Sequence, residues 1–210
     1  MKTYESPLQE AAERFPQTLL WNDSCGVADL NLALRHGSNP VIVGNVLRKE
    51  MADWKDRLNA LIHVEMPDAT DEEICWALSK EAALKGSNML LPMFRESGGV
   101  KGWQAMQVNP RFYRSTEKTV AHAAELSALN ENILIKMPVS TADIPALEEC
   151  AYRGISVNGT VCFGIPQAVA VAEAVERGLK RREAEGKPID NVHCSCTIMT
   201  GRLDDYMKAL

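Results

Sequence analysis

The sequence predicts an α/β protein built on parallel strands, and two observations lead to this prediction. Short apolar runs alternate with longer stretches of helical periodicity along nearly the whole chain. Such an alternation is typical of parallel strands joined by helical crossovers. Within the apolar runs, polar residues recur at every second position, so that one face of the predicted sheet is polar and the other is apolar.

Six apolar runs bounded by turn residues are the predicted strands. They comprise residues 18–24, 40–43, 103–109, 132–138, 155–164 and 191–199. The predicted helices lie between these runs and show the spacing of amphipathic helices. They comprise residues 27–36, 45–63, 71–86, 115–129, 141–153 and 166–185.

Local signals define the ends of two of these helices. Ser115 or Thr116 is a suitable N-cap for the helix at 115–129. The helix at 71–86 begins with acidic residues, which suit the positive end of the helix dipole, and Gly86 is expected to end it.

The polar face of the predicted strands favours a barrel over an open sheet. A doubly wound open sheet fits the same alternation, but its strands are covered on both faces and are apolar throughout. Polar residues at alternate positions of a strand point to the same face of the sheet. In a closed barrel, such residues form a ring of side chains around the barrel axis. These residues are Asp23, Gln107, Asn109, Lys136, Asn158, Thr160, Ser195 and Thr197. The alternate residues, among them Val161, Cys196 and Ile198, are expected to pack under helices.

We therefore predict a single TIM-type (β/α) barrel domain of parallel strands over residues 1–210. About six of the eight strand–helix units of such a barrel are present, so the barrel is expected to be truncated. The seventh and eighth units have no counterpart in the sequence. Because an incomplete barrel exposes strand edges, we expect either a fragment of a longer protein or another chain that covers the gap.

Composition and charge argue against several classes of protein. The net charge of −5 and the isoelectric point near 5.5 argue against nucleic acid or an anionic membrane as a partner. No signal-peptide region is evident, and no apolar run approaches the roughly 20 residues that span a membrane. We expect a cytoplasmic protein with free thiols. In the segment “HCSC” (193–196), only the two cysteines share a strand face, and two ligands are too few for a zinc site. His122 is expected at the surface or in a cap.

One lysine, Lys136, stands inside an apolar strand, in the run “NILIKMP”. Lysine is rarely buried without a partner or a function. A lysine shielded from bulk water is more easily kept as a neutral amine, which attacks carbonyl groups to form a Schiff base. Asp23 is the carboxylate on the polar parity and the candidate general acid/base. Lys136 also fits a simpler interpretation, in which it extends into solvent at the barrel mouth.

Other polar residues suit a hydroxylated, anionic substrate. Asn39, Gln107 and Asn158 are able to orient hydroxyl groups. Arg202, just after the sixth predicted strand, is able to hold an anionic group such as phosphate. Asn39 also suits a turn before a proline, and Arg202 also suits a surface ion pair with the aspartates that follow it.

Four segments of the chain resemble, in order and spacing, the transaldolase family. They are “GSNPVIV” (37–43), “ILIKMPVS” (133–140), “SVNGTVCF” (156–163) and “TGRLDD” (200–205). With “DS” at 23–24 and residues 93–110, the resemblance covers the chain from about residue 18 to 206. It implies a class I aldolase-type (β/α)8 barrel that transfers a dihydroxyacetone unit between sugar phosphates through a lysine Schiff base. The family uses no metal, and no cofactor is expected.

The resemblance assigns a role to each candidate residue. Lys136 matches the Schiff-base lysine, and Asp23 matches the acid/base of the first strand. Thr160 matches a threonine that helps to hold the catalytic water. The substrate-binding positions match Asn39, Asn158, Thr197 and Arg202, of which Arg202 corresponds to a phosphate-binding arginine.

Three positions depart from the pattern of typical transaldolases. Gln107 stands where they have a glutamate that helps to activate water, and the related fructose-6-phosphate aldolase branch has glutamine there. Met199 replaces the tyrosine of that branch and the phenylalanine of transaldolases, and Asp143 replaces a common glycine. The sequence therefore predicts transaldolase-like transfer in pentose phosphate metabolism, with aldol cleavage as one alternative. A non-catalytic truncated homologue or sugar-phosphate-binding remnant is the other. Sugar phosphates are the expected partners, and a homo-oligomer is compatible with the resemblance.

Overall fold

The computed structural model describes residues 7–17 and 48–209, and their centre is a four-stranded sheet that is parallel throughout. The strands are β1 (Gln104–Gln107), β2 (Ile133–Pro138), β3 (Val157–Cys162) and β4 (Cys194–Ile198), and they lie side by side in chain order. The predicted parallel α/β fold is therefore confirmed. The predicted elements at 18–24, 27–36 and 40–43 lie outside the described residues.

Helices precede, connect and follow these strands. They are α1 (Pro7–Arg14), α2 (Met51–Ala60), α3 (Asp71–Glu96), α4 (Thr116–Ser127), α5 (Asp143–Arg153), α6 (Ile165–Ala184) and α7 (Thr200–Lys208). A π-helical segment, Leu61–Glu65, continues α2, and a 3₁₀ turn, Pro110–Phe112, follows β1. The predicted helices at 115–129, 141–153 and 166–185 are confirmed, and so is the described part of the predicted helix at 45–63, whose residues 45–47 lie outside the described residues. The sequence analysis missed α1 and α7.

Helix α3 is longer than the sequence predicted. It begins at a capping box in which the Thr70 hydroxyl accepts from the backbone N–H of Glu73, and the Glu73 carboxylate accepts from the backbone N–H of Thr70. Gly86 does not end the helix, which continues to Glu96. The reason is tertiary packing. Gly86 and Ser87 are buried, and the Ser87 carbonyl accepts a hydrogen bond from the side chain of Asn132, just before β2.

The apolar face of the sheet forms the core together with α4, α5 and α6. Ile135, Met137 and Val157 are almost fully buried. They pack against helix residues such as Leu126 and Leu147, which are equally buried. Each such side chain stabilises the fold by about 1.5–3 kcal/mol relative to exposure. This packing leaves the opposite face of the sheet to the polar residues.

The expected burial of the last strand is wrong in the described structure. Ile198 is 53 % exposed, and Cys196 is also exposed. Val161 is exposed as well, because β3 contains a register shift between Gly159 and Cys162. Alternation along a regular strand therefore stops predicting the side-chain direction at this irregularity.

Among the described helices, none has the length and apolar character of a membrane-spanning segment.

Candidate active site

A row of polar residues crosses the four strands at one level. Backbone pairing aligns Gln107 with Lys136, Lys136 with Asn158, and Asn158 with Ser195. Paired residues of neighbouring parallel strands point to the same side of the sheet, with strands about 4.8 Å apart. Lys136 is therefore placed between two carboxamide-bearing residues, on the face opposite the core.

Lys136 is half-buried, whereas its chain neighbours Ile135 and Met137 are fully buried on the other face. Its partners in the row differ in exposure. Gln107, the last residue of β1, is half-buried, and Asn158 is 9 % exposed. The lysine thus lies in a partly shielded polar environment.

Two hydroxyl groups of β4 hold the side chain of Asn158. Its Nδ2 donates to Ser195 Oγ at 2.6 Å, and its Oδ1 accepts from Thr197 Oγ1 at 2.9 Å. The predicted substrate-binding residues Asn158 and Thr197 are therefore in direct contact. Ser195 was placed on the correct face by its parity, but no sequence signal assigned it this contact.

Thr160 lies two residues further along β3 and is buried. Its neighbour Val161 has a φ of 63°, which is rare for a β-branched residue. The side chain of Gln167 braces this irregular segment. Its Oε1 accepts from the Phe163 N–H at 2.9 Å, and its Nε2 lies 3.4 Å from the carbonyl oxygens of Val161 and Val139. The ends of β2 and β3 are thereby connected, an arrangement that the sequence did not reveal.

A buried carboxylate stabilises the segment that follows β2. Asp143 is 1 % exposed, and its Oδ2 accepts from Ser140 Oγ at 2.6 Å. Its Oδ1 lies 3.4 Å from Thr119 Oγ1 in α4. Burial raises the pKa of the Asp143 carboxyl, and the hydrogen bonds from Ser140 and Thr119 oppose this effect.

The raised pKa predicts how the Asp143→Asn substitution affects stability. A carboxyl whose pKa is higher in the folded state favours folding most below its unfolded-state pKa of about 4. That contribution is lost as the pH rises through the folded-state pKa. Asparagine stays neutral and keeps an acceptor oxygen. The free energy of unfolding of Asp143→Asn should therefore rise relative to that of wild type as the pH increases from about 4 to about 7.

Urea denaturation at several pH values measures this difference. Asp143→Ala serves as the comparison, because it removes the carboxylate that accepts from Ser140 and Thr119 and should destabilise by about 1–3 kcal/mol. An Asp143→Asn variant whose stability relative to wild type does not change with pH would contradict the prediction.

Asn109, two residues beyond Gln107, makes its side-chain hydrogen bonds outside the polar row. Its side chain donates to Glu72 Oε1 at 2.8 Å and caps the 3₁₀ turn by accepting from the Arg111 N–H. The 3₁₀ turn begins directly after Asn109, and Val108 is still buried in the core with Met106. His122, expected at the surface or in a cap, is half-buried. Its Nδ1 accepts from the Asn109 N–H at 3.0 Å, and its ring packs against Trp76, where burial lowers its pKa.

The remaining predicted site residues differ in their surroundings. Arg202 lies in the first turn of α7, directly beyond β4. Its side chain is 70 % exposed and lies 3.6 Å from Asp205 Oδ2, a weak surface ion pair. Asp23 and Asn39 lie outside the described residues.

The “HCSC” segment (193–196) includes the first residues of β4. Across residues 7–17 and 48–209, no group of three His, Cys, Asp or Glu side chains is placed to hold an ion. Cys196 Sγ instead lies 3.4 Å from Cys162 Sγ. Burial raises the pKa of the Cys162 thiol to about 12. His193 packs against the Trp103 ring, with 5.0 Å between their centroids.

The parallel sheet, its helical crossovers and the polar row around Lys136 define a β/α protein whose candidate site lies on the polar face of its strands. The chain belongs to the transaldolase/fructose-6-phosphate aldolase family, whose model matches residues 21–210.

Curated relatives support this assignment. The chain is 33 % identical over 165 residues to a transaldolase of Thiobacillus denitrificans, covering 78 % of this chain and 41 % of that protein. It is 31 % identical over 174 residues to a transaldolase of Thermobifida fusca, covering 80 % of this chain and 45 % of that protein. The chain thus spans less than half the length of these two relatives.

Proposed function

We propose that Lys136 forms a Schiff base with the carbonyl group of a sugar phosphate and that the protein transfers a dihydroxyacetone unit from this donor to an aldehyde acceptor. The observation that carries the proposal is the position of Lys136 between Gln107 and Asn158 in the polar row. The family membership and the curated transaldolase relatives support it.

The proposed reaction begins with addition of the neutral Lys136 amine to the donor carbonyl. The resulting carbinolamine loses water and becomes an iminium ion. The hydroxyl group on the β carbon then loses its proton, and the bond between the α and β carbons breaks. Its electron pair moves into the iminium, which forms an enamine and releases an aldehyde. The enamine then attacks an acceptor aldehyde, and water hydrolyses the new iminium to release the product. The iminium itself accepts the electrons, so the proposed reaction requires no further cofactor.

The other site residues have defined roles in this proposal. Asp23 transfers the protons as general acid/base, and Thr160 together with Gln107 positions the water. The donor hydroxyl groups are bound by Asn39, Asn158 and Thr197. Arg202 binds the phosphate group. We place this activity in the pentose phosphate metabolism of the cytoplasm, with sugar phosphates as the small-molecule partners.

Borohydride trapping tests the proposal directly. The purified protein is incubated with fructose 6-phosphate, treated with borohydride and digested, and the peptides are analysed by mass spectrometry. The expected result is a reduced adduct on Lys136 that is absent when the donor is omitted. Folded protein that forms no adduct, or forms one on a different lysine, would contradict the proposal and favour a non-catalytic, sugar-phosphate-binding protein.

Aldol cleavage without transfer is the second candidate, and Gln107 is the observation that favours it. Its carboxamide orients water or a hydroxyl group but cannot accept a proton as a glutamate does. The two reactions differ in their need for an acceptor. Release of glyceraldehyde 3-phosphate from fructose 6-phosphate should depend strongly on added erythrose 4-phosphate in the transfer reaction. Equal release with and without this acceptor would identify a cleavage enzyme.

A further inference from the structure

Within the described part of the chain, the fixed hydrogen-bond partners of the Asn158 carboxamide both lie on β4. A carboxamide offers two N–H donors and an oxygen with two lone pairs. Ser195 takes one N–H, and Thr197 takes one lone pair. Counting contacts with residues 7–17 and 48–209 alone, one N–H and one lone pair are left for a bound molecule or other neighbours. The orientation of these remaining groups depends on the two hydroxyl groups of β4.

Ser195 is the better placed of the two hydroxyl residues to control this orientation. It is the backbone pairing partner of Asn158, so the strand register itself brings the two side chains together. Its hydrogen bond of 2.6 Å is shorter than the 2.9 Å bond of Thr197. Serine also has a short side chain that loses little conformational entropy when it is held in one place.

Lys136 pairs with Asn158 from the opposite side. Asn158 is therefore flanked by the proposed nucleophile on one side and by Ser195 on the other. A hydroxyl group on a donor attached to Lys136 would meet Asn158 from the lysine side. Rotation of the carboxamide away from Ser195 would change which atom it presents there.

The geometry points to Ser195 as a positioning residue, which fixes the carboxamide of Asn158 so that its second N–H is presented to a hydroxyl group of the donor bound at Lys136. This inference rests on the proposed Schiff-base function for its catalytic consequence. Ser195 itself does not touch the reacting atoms and acts through Asn158.

A double-mutant cycle tests the catalytic consequence. Ser195→Ala should lower kcat for donor cleavage about tenfold, because one hydrogen bond to a nearly buried carboxamide is lost. Ser195→Thr keeps the hydroxyl group and should retain wild-type kcat. In an Asn158→Ala background, Ser195→Ala should cause no further loss. Unchanged kcat in Ser195→Ala, or an equal further loss in the Asn158→Ala background, would overturn the inference.

A second measurement separates this inference from the proposed function. The side-chain amide of Asn158 gives two proton resonances in a nitrogen-resolved NMR spectrum, assigned by their absence in Asn158→Asp. In Ser195→Ala they should shift and exchange faster with water, whereas Ser195→Thr should preserve them. Ser79→Ala is the matched control, because it removes a hydroxyl bonded to the Cys75 carbonyl within α3. Failure to trap Lys136 would contradict the proposed function but not the contact between Ser195 and Asn158. Asn158 signals that stay unchanged in Ser195→Ala would overturn that contact.

Discussion

Replacement of Lys136 by methionine should eliminate the borohydride-trapped adduct and lower donor turnover at least about a thousandfold. The proposed reaction depends on a covalent bond to the lysine nitrogen, and methionine has no nucleophile in its place. Its unbranched side chain is similar in length to the stem of lysine. Lys136 is half-buried, and the apolar core lies on the other face of the sheet and is not altered by the substitution. The fold should therefore tolerate the change.

Lys118→Met is the matched control for this experiment. Lys118 is exposed on α4, which covers the apolar face of the sheet, away from the polar row. Its replacement should therefore leave both the adduct and the turnover at wild-type levels. Circular dichroism and the thermal midpoint establish that both variants are folded. Donor turnover that persists in folded Lys136→Met would refute the assignment of this lysine as the nucleophile.

The strands that carry the site could be predicted because their local pattern and their final environment agree. In β2, Ile135 and Met137 are buried while Lys136 between them is not, as the alternation of polar and apolar residues indicated. The same parity placed Gln107, Asn158 and Ser195 on one face. Since the strands are parallel and nearly in register, parity alone was sufficient to predict the polar row.

The errors fall where packing between distant segments overrides local signals. Gly86 is a typical helix-ending residue, yet it continues α3 because the next turn is buried against the start of β2. His122 has the helical spacing of a surface residue, but Trp76 of α3 covers it. Neither interaction is encoded within the segment to which the residue belongs.

The supporting interactions of the site are equally beyond a sequence pattern. The contacts of Gln167 join the ends of two strands, and those of Asp143 join two helices. The left-handed conformation of Val161 is unexpected for a β-branched residue and has no signal in the sequence. The face on which the polar strand residues lie was therefore predictable, whereas the contacts that support them require the three-dimensional arrangement.

The packing of α5 against α6 allows the second large prediction, which concerns Gly178 and the helix layer behind the site. A Cβ atom at this position would lie 2.2 Å from the carbonyl oxygen of Glu148 and 2.9 Å from Ala151 Cβ. The two helix backbones are thus in direct contact. Alanine has a helix propensity about 1 kcal/mol better than glycine, but the overlap with a backbone atom forces the helices apart.

Gly178→Ala should therefore lower the free energy of unfolding by about 2 kcal/mol or more, despite its better propensity. Separation of the helices would also loosen contacts of Ala151 and Ala174, which are fully buried. Urea denaturation followed by circular dichroism measures the change, with the slope of the transition checked for equality with wild type.

Gly201→Ala in α7 is the matched control, because no neighbouring atom of the described residues lies within 4 Å of its Cβ position. Here the propensity of alanine acts alone, and the variant should be unchanged or more stable by up to about 1 kcal/mol. The two substitutions are chemically identical and both are helical, so the difference between them isolates the contact with α5. If Gly178→Ala were as stable as Gly201→Ala, the prediction would be contradicted. The packing of α5 against α6 would then not require a glycine at position 178.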